Sequence, residues 1–204
     1  MYRESKIMAI LRIVADAMII SLMWFGTSLG IITIGASTTS AYYVLIRRIS
    51  DRESSIITDY FASFKANFKV STIAFLSITG LLAISLNNLI LNPATENIGL
   101  VIYILQIIII IELVFISIHI YPILSRFDLK PKELVKTTLI IANKHLFITI
   151  THGALITSLF YLCINAPFLI AFAFGFYCLI SSYMLIKVYR KYIPDMDKNT
   201  DIDS

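Results

Sequence analysis

The chain has 204 residues, of which 58% are hydrophobic and 15% are charged, and its formal net charge is +4. A soluble domain carries about 25% charged residues, and one core of this size could not hide several long uncharged helices, so a soluble globular protein is excluded. The positive charge lies beside apolar segments, where it indicates membrane topology and contact with anionic lipids, and no nucleic-acid partner is expected.

Lys and Arg are absent from residues 70–125 and again from residues 145–186. Each stretch is long enough to cross a bilayer twice, because one crossing takes about 20 apolar residues. Short loops rich in Lys and Arg stay on the cytoplasmic side. The sequence therefore predicts an all-α, polytopic membrane helical bundle with five to six membrane segments and two cytoplasmic amphipathic interface helices. It is expected to form one membrane domain over residues 1–193, in the plasma membrane, with a cytoplasmic C-terminus.

The first membrane segment is predicted over residues 8–29 and contains Arg12 and Asp16. These two residues are four positions apart, the spacing of an ion pair within one helix. A stretch of small residues follows at 36–41. Small residues in a membrane segment usually mark close helix packing.

Residues 8–46 allow two topologies. A single crossing would leave Arg3 and Lys6 outside, whereas a hairpin would keep both of its ends inside. Roughly 34 residues separate Arg12 from Arg47, about 51 Å of helix. That length suits one full helix and a short, broken return, so the hairpin and a cytoplasmic N-terminus are favoured.

The first interface helix is predicted over residues 51–69, behind a capping box formed by Ser50 and Glu53. Apolar residues recur there at helical spacing, opposite charged ones. A crossing over 70–85, a polar turn over 87–96 and a return over 98–121 follow, and Pro122 is expected to end the return. The candidate docking residues of this helix are Phe61, Phe64, Lys65, Asn67, Phe68 and Lys69.

The second interface helix is predicted over residues 131–144, with Pro131 in its first turn. Crossings over 146–162 and 168–185 follow. Residues 194–204 are acidic and are expected to be a disordered cytoplasmic tail. The two halves also resemble each other, which suggests a parallel repeat of residues 50–121 and 130–190; chance similarity between two amphipathic helices is the alternative.

Three ionisable residues lie in the apolar stretches: Glu112, His119 and His152. Glu112 and His152 have matching depths on adjacent antiparallel helices, so we expect them to face each other, with His119 nearer the surface. Such a site could relay protons or bind a polar ligand. The alternative is a buried contact that only fixes helix register.

No catalytic or cofactor-binding pattern is present. The sequence lacks HExxH, GxSxG and Walker A motifs, and Cys163 and Cys178 have no metal-ligand spacing. We therefore expect no cofactor, no metal and no enzymatic activity.

Residues 33–44 (TIGASTTSAYYV), 59–61 (DYF) and 64–69 (FKANFK) resemble the conserved blocks of the YesL family, domain of unknown function 624. Ala36 stands where that family usually has Pro. The resemblance implies a small bacterial plasma-membrane protein whose genes often neighbour carbohydrate-uptake ABC transporters, with no established activity and no catalytic residues to transfer.

The leading hypothesis is a non-enzymatic accessory protein linked to carbohydrate uptake. Its expected partners are the lipid bilayer and a carbohydrate ABC transporter complex or a second copy of the chain. A small transporter or channel lined by Glu112 and His152 is the alternative. An intramembrane enzyme is the third hypothesis.

Overall fold

The computed structural model describes residues 6–49, 55–91 and 97–192, and these residues are almost entirely helical. Five of the helices are long and apolar enough to cross a membrane. The predicted all-α bundle is therefore confirmed. The helices are α1 (Lys6–Ser28), α2 (Ile34–Ile49), α3 (Ile56–Leu91), α4 (Asn97–Leu124), α5 (Pro131–Lys144), α6 (Leu146–Asn165) and α7 (Ile170–Tyr192).

The first two helices form an antiparallel hairpin around a 3₁₀ turn at Ile31–Thr33. Trp24 Nε1 donates to Thr38 Oγ1 at 3.0 Å near the turn, and Asp16 meets Arg48 at 3.3 Å near the open end. The described residues of α1 and α2 thus form the helical hairpin that the sequence favours. At 16 residues, α2 is about 24 Å long, which is shorter than the hydrocarbon layer of about 30 Å.

Asp16 has a partner that the sequence did not predict. The carboxylate was expected to pair with Arg12 within α1; in the structure it lies 3.3 Å from Arg48 Nε of α2, and both guanidiniums attract it. A second ion pair joins Arg47 Nε of α2 to Asp59 of α3 at 3.7 Å. The spacing along α1 was compatible with the expected pair, but the hairpin brings a second guanidinium to the same carboxylate. These contacts tie three helices together at one end of the bundle.

The short helix α2 lies at the centre of the bundle, in contact with α1, α3, α4 and α7. Ten of its sixteen residues are buried, including Ser37, Thr39 and Ser40. A Cβ on Gly35 would meet the backbone oxygen of Ser71 and would lie 2.9 Å from Cβ of Phe75. The small-residue stretch therefore allows α2 and α3 to approach closely, as the sequence predicts.

The predicted first interface helix and the crossing after it are one continuous helix, α3, of 36 residues. The expectation of two separate elements was wrong, because the change from amphipathic to fully apolar sequence alters which faces are solvated and leaves backbone bonding intact. A break would leave backbone N–H and C=O groups without hydrogen-bond partners at both new helix ends. The proposed capping box of Ser50 and Glu53 lies outside the described residues.

The second interface helix, α5, is a separate helix that starts at Pro131 and ends at Lys144, as predicted. His145 then separates it from α6. The repeat of 50–121 and 130–190 stays a prediction, but the lengths are compatible with it: α5 and α6 have 14 and 20 residues, against 36 in α3. The domain limit at 193 and the tail at 194–204 lie outside the described residues.

Pro122 lies inside the last turns of α4 and does not end it, contrary to expectation. A proline removes one backbone donor, and here the bonds that follow it are kept. Ser125 N donates to Tyr121 O at 2.9 Å, and Phe127 N donates to Ile123 O at 3.0 Å. So close to a helix end, the loss of one donor is tolerated.

The last helix, α7, closes the bundle against α1 and α2. Ser21 Oγ of α1 donates to Phe172 O at 2.6 Å, and a Cβ on Gly175 would meet the backbone oxygen of Ala17. Trp24 stacks on Phe174 with ring centroids 3.7 Å apart. These contacts pair the start of α7 with the second half of α1, so the two helices run antiparallel.

Candidate functional site

The two histidines predicted in the membrane segments, His119 of α4 and His152 of α6, lie against each other. The ring centroids of His119 and His152 are 6.1 Å apart, with 67° between the ring planes. Neither residue has any exposed surface. We call these two residues, together with Thr149, the histidine junction.

Thr149 connects the histidine junction to the end of α5. Its hydroxyl donates to Ala142 O at 2.9 Å and lies 2.9 Å from His119 Nε2. A hydroxyl has one proton to donate, so His119 Nε2 carries the proton of this contact. Nδ1 of His119 is then a bare acceptor, and it has no hydrogen-bond partner among the described residues. Both ring nitrogens of His152 also lack one.

Glu112 does not share this site, although we expected it to face His152. Its carboxylate accepts a hydrogen bond from Asn143 Nδ2 at 3.0 Å, and its side chain is only half-buried. The turn from α5 to α6 lies beside α4, between the levels of Glu112 and His119. Asn143 at the end of α5 therefore meets Glu112. Thr149 and His152 of α6 meet His119. The matching of depths was therefore wrong: His152 lies at the level of His119, about two helical turns along α4 from Glu112.

The six candidate docking residues are divided between the outside and the core. Phe61 is 44% exposed and Phe68 is 38% exposed, and both lysines are exposed. Phe64 packs against the core. Asn67 is half-buried and donates to Ser63 O at 3.1 Å. We call the four exposed residues the outer face of α3: Phe61, Lys65, Phe68 and Lys69.

Around α2 the structure shows a buried group of hydroxyls that the sequence reasoning missed. Tyr42 shares a hydrogen bond of 2.9 Å with Ser181 and donates to Tyr177 at 3.4 Å. Tyr60 shares one of 2.8 Å with Thr27. The signal available in the sequence was the density of Ser, Thr and Tyr in a segment flanked by apolar residues, since such groups need partners inside a membrane.

A shallow, mostly apolar pocket of about 260 Å³ lies between α6 and α7. Tyr177 links it to the buried hydroxyls. Within the described residues, no three His, Cys, Asp or Glu side chains are grouped so that they could hold a metal ion. The pocket lining is Leu155, Ser158, Leu159, Tyr161, Leu162 and Tyr177.

Residues 17–89 match the model of a family described as "Protein of unknown function, DUF624". The match covers the second half of α1, all of α2 and nearly all of α3, so it includes the outer face of α3. It stops before Glu112 and the histidine junction. No curated protein matches the chain, and no solved structure does.

Proposed function

We propose that this chain, which belongs to the DUF624 family through residues 17–89, is a non-enzymatic accessory protein of the plasma membrane. In this proposal it binds another membrane complex through the outer face of α3. The observation that carries the proposal is the exposure of two phenylalanines beside two lysines on a helix that is too long for the bilayer.

The length of α3 supports a position outside the hydrocarbon for this face. Its 36 residues span about 54 Å, whereas about 20 residues cross the hydrocarbon layer. Roughly 16 residues must therefore extend beyond it or be accommodated by tilt. Lys65 and Lys69 mark the first half of the helix as the projecting part, because charged side chains avoid lipid.

The distribution of cations supports a cytoplasmic position for the same end. Arg48 near the end of α2 meets Asp16 of the first half of α1, and Arg47 meets Asp59 of the first turn of α3. The ends of the first three helices that carry cations thus lie together. By the tendency of Lys and Arg to remain inside, this end faces the cytoplasm, together with the N-terminus.

The outer face has the chemistry of a protein contact. Aromatic side chains are enriched at protein interfaces, and exposed apolar groups outside the lipid mark interaction sites. Phe61 and Phe68 supply the apolar contact, and the two lysines favour an acidic partner surface. We propose a carbohydrate ABC transporter as this partner, on the basis of the family resemblance alone.

The competing use of this face is attachment to anionic lipid headgroups, which also attract lysines beside aromatic rings. The transporter and enzyme hypotheses relied on a shared site of Glu112 and His152. Those side chains have different neighbours, so the accessory role is the function we favour.

Mild-detergent purification from the native membrane, followed by mass spectrometry, tests this proposal. We expect a stoichiometric membrane complex to accompany the wild-type chain and to be lost in Lys65→Glu/Lys69→Glu. The control is Lys132→Glu/Lys136→Glu, which makes the same charge change on exposed residues of α5. That variant should retain the complex.

Equal recovery from the Lys65→Glu/Lys69→Glu variant, with normal membrane insertion, would overturn the docking surface. A wild-type chain that is purified alone would do so as well. Loss of the complex in both double variants would indicate general electrostatic attraction, which also contradicts a specific face on α3.

A further inference from the structure

We propose that His119 and His152 bind a monovalent d¹⁰ metal ion, Cu⁺ in the cell, between α4 and α6. The proposal is independent of the accessory role, because it concerns a different region of the bundle and lies beyond the family match. It rests on the burial, hydrogen bonding and separation of the two rings.

The first observation is the number of ring nitrogens without partners. Both imidazoles are completely buried, yet three of their four nitrogens have no hydrogen-bond partner within the described part of the chain. Buried polar groups are nearly always hydrogen-bonded, because an orphaned one loses its interaction with water. Two such residues in contact therefore indicate an occupant that both of them bind.

The second observation is the state in which His119 is held. Its Nε2–H donates to Thr149, whose hydroxyl is in turn oriented by Ala142 O. This contact fixes the tautomer and leaves a lone pair on Nδ1. Histidines that bind metals generally have their other ring nitrogen fixed by a hydrogen bond in this way.

The third observation is the distance between the rings. A metal–nitrogen bond is about 2 Å long, and a ring nitrogen lies roughly 1 Å from its ring centre. Two imidazoles on opposite sides of one ion therefore have centroids about 6 Å apart, and the observed separation is 6.1 Å. Neither nitrogen of His152 is engaged in a hydrogen bond within the described residues, so a lone pair of its ring is available to such an ion.

The number of ligands decides which ion fits. A structural zinc ion has four protein ligands, and a catalytic zinc ion has three protein ligands plus water or substrate. The described residues provide no such group of three. Imidazole nitrogens suit copper among other metals, and a d¹⁰ ion of single charge can be satisfied by two of them. A single charge also costs less to bury than a double one.

Histidine NMR tests the site directly, because the chain contains only three histidines. The full-length protein is labelled with ¹⁵N-histidine, purified in mild detergent and titrated with Ag⁺, which stands in for Cu⁺ without its redox chemistry. Because silver also binds thiols, the titration is repeated in a Cys163→Ser/Cys178→Ala background. Both cysteines are free in the structure.

At about one ion per chain, we expect Nδ1 of His119 and one nitrogen of His152 to shift and to show coupling to silver. His145 lies at the junction of α5 and α6 and serves as the matched control. Its His145→Gln variant should lose one set of signals and keep the silver response of the other two. His152→Asn should abolish the response of His119.

Unchanged His119 and His152 signals after several equivalents of Ag⁺ would overturn the site and would leave water as its occupant. A response to Zn²⁺ and none to Ag⁺ would overturn the two-coordinate assignment. If His152→Asn fails to fold, the wild-type titration alone decides, since the coupling to silver identifies the bound nitrogens.

Discussion

The central helix α2 and the return helix α4 are built in opposite ways. In α2 the buried residues include Ser37, Thr39, Ser40 and Tyr42. In α4 the long run of isoleucines is largely uncovered by the rest of the chain, with Ile108 and Ile109 each 50% exposed. The more polar helix is thus inside the bundle, and the more apolar helix is outside.

This difference follows from the solvent. Lipid tails solvate Ile and Leu as well as a protein core does, so apolar side chains gain little by moving inside. Hydroxyl groups have no partners in lipid and must find them between helices. The residues inside this bundle are consequently the polar and small ones, whereas the core of a soluble protein is made of the most apolar residues.

The largest expected effect comes from filling the close approach of α2 to α3. In Gly35→Ala the new Cβ would meet the Ser71 backbone, so the helices must separate, at a typical cost of about 1–3 kcal/mol. Gly80→Ala is the control, because nothing lies within 4 Å of its Cβ position, and it should gain up to about 1 kcal/mol of helix propensity.

The measurement is the fraction of monodisperse protein that remains after heating in mild detergent. The monodisperse fraction of Gly35→Ala should fall at a lower temperature than that of wild type. The monodisperse fraction of Gly80→Ala should fall at the same temperature as wild type or at a higher one. Equal curves for both variants would show that the tight approach of α2 contributes nothing to stability.

A smaller effect is expected from the buried hydroxyls. Thr39 Oγ1 shares a hydrogen bond of 2.9 Å with Ser71, and Thr39→Val would leave Ser71 with an orphaned group. Hydrogen bonds between membrane helices average about 0.6 kcal/mol, so the free energy of unfolding in a denaturing detergent titration should fall by about that amount. Thr157→Val should cause no such fall, because its exposed hydroxyl donates to Gly153 of its own helix. The polar-interior explanation fails if both variants behave alike.

The smallest effect is expected on the outside of α4. Ile108→Leu keeps the apolar volume on a lipid-facing position, so the free energy of unfolding should stay within about 0.5 kcal/mol of wild type. The same change at Ile123, which is fully buried, alters packing and should cost up to about 1.5 kcal/mol. A larger loss at Ile108 would mean that α4 is covered by a partner and does not face lipid.

The sequence predicted elements well wherever the signal was local. The start of α5 at Pro131, the break before α6 and the presence of five long apolar helices all follow from residue types within one segment at a time. The separate first interface helix was wrong, because amphipathic and apolar helices share the same backbone bonding. Only a breaker residue would have divided α3, and its sequence has none near Lys69.

The candidate site was predicted only in part. Both histidines were identified as buried membrane residues, but counting residues at 1.5 Å each placed His152 level with Glu112, whereas it lies beside His119. Which of them meet depends on where the chain turns from α5 into α6. Asn143 and Thr149, which lie on either side of that turn, have no distinguishing pattern in the sequence.

The sequence by itself determined that this is a polytopic helical membrane protein and which segments can cross, because these properties depend on the apolar length and local charge of one segment at a time. Only the tertiary structure decided that Asp16 binds Arg48, that Glu112 binds Asn143 and that His119 lies against His152. Such contacts depend on the rotation of each helix about its axis and on its choice of neighbours. Both are set by packing between segments far apart in the chain.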